Sequence, residues 1–207
     1  GLVLAPLIFQ SAFAAIALDR TRIVFDGGQK SVSLSVSNEN KQLPYLAQAW
    51  LEDEKGNKVT SPLTVLPPVQ RIEPGAQSQV RVQSVGADKA LPQDHETLYY
   101  FNLREIPPRS DKPNTLQIAL QTRVKLFYRP AALMTQANST SWQEKITLTR
   151  QGDRYVVNNP TPYYVTLVAA SSSVKGLSAK DFEAVMIAPN GQAPIKPGAA
   201  VLGDSPV

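Results

Sequence analysis

Residues 115–128, TLQIALQTRVKLFY, constrain the fold more than any other stretch of this chain. Leu116, Ile118, Leu120, Val124 and Leu126 fall on alternate positions, with Gln117, Ala119, Gln121, Arg123 and Lys125 between them. A period of two held for about eleven residues specifies a strand with one apolar face. Thr, Val, Ile and Phe suit a pleated strand, and neither Gly nor Pro interrupts the run. Ordinary strands are only about five or six residues long. A strand over 115–128 is therefore expected to outrun its sheet and offer alternate apolar side chains to something else. The competing reading is an interior strand of a large sandwich.

The preceding chain supplies the rest of a sheet. RIVFD (22–26) leads to the Gly27-Gly28 turn, and Val32, Leu34 and Val36 alternate with serines. YLAQAWLE (45–52) is closed by Lys55-Gly56-Asn57, while Pro67-Pro68 and Pro74-Gly75 bracket a short edge piece at 69–72. Val80 and Val82 alternate with polar neighbours, and the aromatic-rich 98–106 is stopped by Pro107-Pro108. Only 87–91 leans helical, for one turn at most. About seven strands spaced by Pro/Gly turns predict an antiparallel sandwich. The pattern halts at Arg129-Pro130, and strands resume over 145–149, 155–158, 163–170 and 182–188. The fold class is all-β, with two sandwich domains at 15–134 and 135–207. The second is short against a sandwich domain of about 100 residues, and is expected either to be unusually small or to be incomplete at its C-terminal end.

The chemistry that is missing narrows the function. The chain has no Cys, which excludes disulfide frameworks, cysteine zinc sites and thiol nucleophiles. It has 21 basic and 17 acidic residues, a net +4, with the excess scattered rather than clustered. Nucleic acid is therefore not an expected partner. A Ser-His-Asp triad could use only His95, and no G-x-S-x-G elbow or phosphate-binding Gly loop accompanies it. His95 reads as a solvated turn residue without further metal ligands, and Glu52-Asp53-Glu54 as a solvated loop. Asn138-Ser139-Thr140 matches a glycosylation tripeptide of a kind common by chance. The expectation is a binding protein: not an enzyme, with no cofactor and no metal.

Residues 1–9, GLVLAPLIF, are nearly all apolar and run into QSAFA at 10–14. A short oily run ending in A-x-A has the form of the latter part of a secretory signal, cleaved after Ala14. It is too short to span a bilayer, which takes about 20 residues. Residues 1–14 are read as a signal-peptide remnant, and the mature chain as exported from Ala15. The alternative is a buried N-terminal strand.

One long motif, LPQDHETLYYFNLREIPP at 91–108, strongly resembles the signature of the periplasmic chaperones that assemble adhesive pili. LDRTRIVFDG (18–27), NKQLPYLAQAW (40–50), PPVQRIEPG (67–75), LQIALQTRVKLFYRP (116–130) and NPTPYYVT (159–166) are similar to that family too. His95 stands where a basic or amide residue is usual. The resemblance implies two immunoglobulin-like domains arranged as an L, a periplasmic location, and pilin subunits and an outer-membrane usher as partners. It implies that Leu116, Ile118 and Leu120 are lent to a pilin lacking its own last strand. It also implies that Arg22 and Lys125 anchor the pilin's terminal carboxylate. Lys125 has the opposite parity from the apolar row, so it should face away from it. The family's interdomain charge network is matched at Glu96 and Arg129; its third member, an Asp, has no counterpart, and Asp204 is not a convincing substitute. The short segment between Ile106 and Leu116 resembles chaperones of rod-forming pili.

Magnitudes divide the labour. Burying three aliphatic side chains gains on the order of 5 to 9 kcal/mol gross, and a charge-assisted hydrogen bond about 1.5 to 3 kcal/mol. Association costs at least about 4 kcal/mol. The apolar row would drive binding and the cations would fix its register, because a one-residue slip turns every apolar side chain outward. The alternative function is an exported two-domain immunoglobulin-like adhesion or ligand-binding module.

Overall fold

The computed structural model describes residues 14–112, 117–137 and 142–207. The chain forms β1 (Ile16–Leu18), β2 (Arg22–Asp26), β3 (Ser31–Asn38), β4 (Tyr45–Glu52), β5 (Lys58–Val59), β6 (Leu63–Leu66), β7 (Val69–Ile72) and β8 (Gln77–Ser84). A single helical turn, α1 (Ala87–Ala90), precedes β9 (Thr97–Ile106) and β10 (Gln121–Arg129). Then come α2 (Ala131–Ala137), β11 (Thr147–Gln151), β12 (Arg154–Asn158), β13 (Val165–Leu167), β14 (Val185–Ile187), β15 (Gln192–Ile195) and α3 (Ala199–Leu202). The chain is all-β, and it divides into two compact units. The first comprises the described residues of Gly1–Ile23, Ser31–Val85 and Tyr100–Lys125, the second those of Val24–Lys30, Gly86–Tyr99 and Leu126–Val207.

One sheet runs β1-β3-β8-β6 and another β2-β10-β9-β4-β5, with β7 also paired to β4. Alternation explains both. In β3 the serines face out while Leu34 and Val36 are buried, and Leu34 stands opposite Val80 of β8. In β4, Ala47, Ala49 and Leu51 are buried, with Leu51 opposite Phe101 of β9. Each large aliphatic or aromatic side chain so removed from water contributes about 1.5–3 kcal/mol gross. Asn38 ends β3 as a buried polar residue, and its Nδ2 donates to the carbonyls of Leu43 (2.9 Å) and Ile72 (3.1 Å).

The strand expected over 115–128 is shorter than its periodicity. β10 begins at Gln121, and 117–120 lie outside any strand. The reason lies in β9. The Glu105 N–H donates to the Leu120 carbonyl at 3.1 Å, but the Leu120 N–H donates to the Glu105 side chain, Oε1, at 3.0 Å. Beyond Ile106 the neighbouring chain continues as Pro107-Pro108, which have no N–H to offer, so the ladder cannot continue.

In the second unit β11-β12-β15 form one sheet and β13-β14 a pair. Tyr155, Val157, Ile187, Ile195, Ala199 and Leu202 make its core. The strand expected over 163–170 shrinks to β13, because β14 offers only three paired residues; past them Val168 is 75% exposed. The 182–188 expectation likewise shrinks to β14. The expected 145–149 starts later, since Trp142–Lys145 form a 3-10 turn. Helix α2 and strand β15 were not anticipated. Asn159 organises the NPTPYY turn: its Nδ2 donates to the carbonyls of Tyr163 (2.7 Å), Ile187 (3.2 Å) and Ala188 (3.1 Å).

Candidate functional site

The segment leading into β10 is the most exposed apolar part of the first unit that runs directly into a core strand. Ile118 is 58% exposed and Leu120 half-buried, whereas Val124 and Leu126 further along are buried. Leu116 lies outside the described residues. Ile118 joins Leu43, Tyr45, Pro107 and Pro108 around a cleft of about 590 Å³. Gln117 braces this stretch by donating from Nε2 to the Pro108 carbonyl at 2.7 Å.

The two expected cations sit on neighbouring strands of one sheet, Arg22 on β2 and Lys125 on β10. Ile23 and Phe25 are buried, so Arg22 points away from the core; Val124 and Leu126 are buried, so Lys125 does too. Sequence reasoning passed over their company on this outward face. Arg123 lies 4.1 Å over the Tyr100 ring and pairs with Glu52 at 3.1 Å. Glu52 Oε1 also accepts from Trp50 Nε1 at 3.2 Å, and Arg104 lies 5.6 Å from the Trp50 ring. The shared parity of 121, 123 and 125 was the available signal. Among the described residues Arg123 is thus engaged by an aromatic ring and a carboxylate, whereas Arg22 and Lys125 form no ion pair.

Glu96 and Arg129 meet within the second unit. Arg129 Nε donates to Glu96 Oε2 at 2.9 Å, with the two side chains 14% and 1% exposed. Glu96 Oε1 accepts the Tyr164 N–H at 2.7 Å, and the Glu96 N–H donates to the Pro162 carbonyl at 2.9 Å. The guanidinium also lies 5.2 Å from the Tyr163 ring, whose hydroxyl donates to the Leu133 carbonyl at 2.6 Å. Burial pushes the Tyr163 phenol above its ordinary value, and Arg129 opposes that. Gly27 lets this end of β10 close in: its N–H reaches the Arg129 carbonyl at 2.7 Å. A Cβ there would lie 2.8 Å from the Tyr128 hydroxyl and 2.9 Å from the Arg129 carbonyl oxygen. Asp204 belongs to a separate pair with Arg150 at 2.5 Å.

His95 bonds its neighbour Asp94 at 2.7 Å, and among the described residues no group of three or more His, Asp or Glu is placed to hold a metal. No helix among them is long and apolar enough to cross a membrane. What the geometry offers is an exposed Ile118 on the segment that enters β10, and two cations, Arg22 and Lys125, that form no ion pair among the described residues.

Comparison with known proteins gives the arrangement a context. Residues 15–134 match the family model described as pili and flagellar-assembly chaperone, PapD N-terminal domain. Residues 141–207 match the model of the pili assembly chaperone PapD C-terminal domain. The chain is 53% identical over 190 residues to the chaperone protein PapD of Escherichia coli, covering 91% of this chain and 79% of that protein. It is 54% identical over 185 residues to the probable fimbrial chaperone YfcS of Escherichia coli K12, covering 89% and 74%. Among solved structures it resembles that of the Salmonella enterica SafA pilin in complex with the SafB chaperone. The TM-score is 0.73 at 27% identity, covering 90% of this chain and 85% of that one.

Proposed function

Because the chain belongs to the pilus-assembly chaperone family, with its two immunoglobulin-like domains, we propose that it holds pilin subunits in the periplasm by donor-strand complementation. Strand addition of this kind between chaperones and pilins is a known mode of recognition. Leu116, Ile118 and Leu120 lend the apolar row; Arg22 and Lys125 receive the pilin's terminal carboxylate; the loaded complex passes to an outer-membrane usher. The exposure of Ile118 on a segment continuous with a buried strand carries the reading. A side chain of that kind, left out of its own core, is worth burying against a partner. The engagement of Arg123 supports the choice of cations, since Arg22 and Lys125, by contrast, form no ion pair among the described residues. Glu96 and Arg129 tie the end of β10 to the turn at 162–164, and we assign them the charge network that holds the domains together in this family.

The test is co-expression with pilin subunits in one periplasm, followed by pull-down. Arg22→Ala and Lys125→Ala each should leave a folded chaperone, judged by circular dichroism, that captures pilin roughly 10- to 150-fold less well. That range is the fold-change of one charge-assisted hydrogen bond. Normal yields of complex from both variants would refute the anchoring role.

A further inference from the structure

Glu105 is a carboxylate for which strand donation has no use. It is 4% exposed on β9, opposite Ala47, whose small side chain leaves it room. Its Oε2 accepts the backbone N–H groups of Ala15 at 2.7 Å and Ile16 at 3.1 Å, and its Oε1 accepts that of Leu120 at 3.0 Å. All three donors are neutral, and no cationic side chain pairs with Glu105 among the described residues. The adjoining cleft of about 290 Å³, which Ala14, Ala15, Ile118 and Leu120 help to line, holds a second carboxylate, Glu39, and no Lys, Arg or His. Glu39 is tied to the same chain end, donating its N–H to the Ala15 carbonyl at 2.7 Å. Glu39 is exposed and accepts from the Ser37 hydroxyl at 2.6 Å, whereas Glu105 is buried, and a buried carboxylate that meets no positive charge ordinarily costs stability.

We propose that the missing positive charge is the α-ammonium of Ala15, freed when a leader is removed after Ala14, and that Glu105 is its built receptor. The proposal rests on reading 1–14 as a leader. A leader peptidase supplies the step: the Ala14–Ala15 amide C–N bond breaks and one water is consumed. Ala14 leaves as a carboxylate, and the new amine takes up a proton. The nitrogen already lies 2.7 Å from Glu105, so processing turns a neutral donor into a charged one without moving it. The other oxygen of the same carboxylate holds Leu120, so processing also fastens the segment that carries Ile118. The titratable groups lining that cleft are Glu39, Tyr45 and Glu105 itself. Both carboxylates raise the amine's affinity for its proton. The stabilisation is therefore complete at neutral pH and is lost as pH rises through the raised value.

The exported protein is purified, its first residue is read by mass spectrometry, and its α-amine is titrated by the rate of carbamylation with cyanate. The free peptide Ala-Ile-Ala-Leu-Asp is the reference. Only the unprotonated amine reacts, so the protein, beginning at Ala15, should react at neutral pH about tenfold more slowly than the peptide, as one pKa unit dictates. Glu105→Gln should react like the peptide, and carbamylated wild type should exchange its Leu120 amide hydrogen faster. A first residue other than Ala15 overturns the leader reading and the proposal with it. Ala15 at the front with peptide-like reactivity, or equal rates in wild type and Glu105→Gln, overturns the receptor alone. Should Glu105→Gln fail to accumulate, wild type against peptide still decides. Pilin capture is not the readout, so failure here is distinct from failure of strand donation.

Discussion

Arg129 shows how much can rest on one side chain. It faces a carboxylate that is 1% exposed and lies near an aromatic ring on its other side. Arg129→Ala would leave the Glu96 charge buried without its cation, and truncating one partner of such a pair costs about 3–5 kcal/mol. The urea midpoint should fall accordingly. Glu96→Gln should cost less, because a neutral amide oxygen can still accept the Tyr164 N–H. Arg129→Lys should rescue only in part, since an ammonium lacks the planar donor set that reaches carboxylate and ring together. The two partners are 33 residues apart and no local pattern joins them; only the family resemblance singled them out. The Tyr163 and Tyr164 contacts had no signal beyond the turn motif that contains them.

At the scale of one element, the run leading into β10 is two things in sequence: an exposed segment outside any strand, then a core strand. Periodicity read the second part correctly, since Val124 and Leu126 are buried while Lys125 faces out. It misjudged the first, because alternation records which way side chains point and not whether the neighbouring backbone has donors left. That information sits in Pro107-Pro108. Ile118→Ser should therefore change stability by no more than about 0.5 kcal/mol, as at other exposed sites. The same substitution should weaken pilin capture about tenfold or more, the equivalent of at least 1.5 kcal/mol of lost burial. Denaturant titration beside a pilin-binding isotherm measures both; a fall in stability equal to the fall in binding would place Ile118 in the chain's own core.

For the molecule as a whole, the all-β class was legible from turn spacing alone, and the short strands β5, β6 and β15 were not. Two to four residues give too few alternations to register unless turn residues bracket them, as Pro67-Pro68 and Pro74-Gly75 do β7. Helix α2 was hidden because AALMTQA, a run of good helix formers just after Pro130, shades into polar residues that read as a connection. The net charge of +4 is small, so salt should act on pilin binding through Arg22 and Lys125, the two cations proposed as anchors, rather than through a general field. Raising salt from 0.05 to 0.5 M shortens the screening length from about 14 to about 4 Å. Wild type should lose affinity across that range, Lys125→Ala should show a flatter dependence, and Ile118→Ser should keep the wild-type slope. The asparagines that close a turn in each unit set a different limit, one of shelf life. Asn38 and Asn159 both point an amide nitrogen at carbonyl oxygens in the interior. Hydrolysis of either to aspartate would put an acceptor, and a charge, where only a donor fits. Slow chemical ageing would thus strike each half of the protein at one identifiable atom.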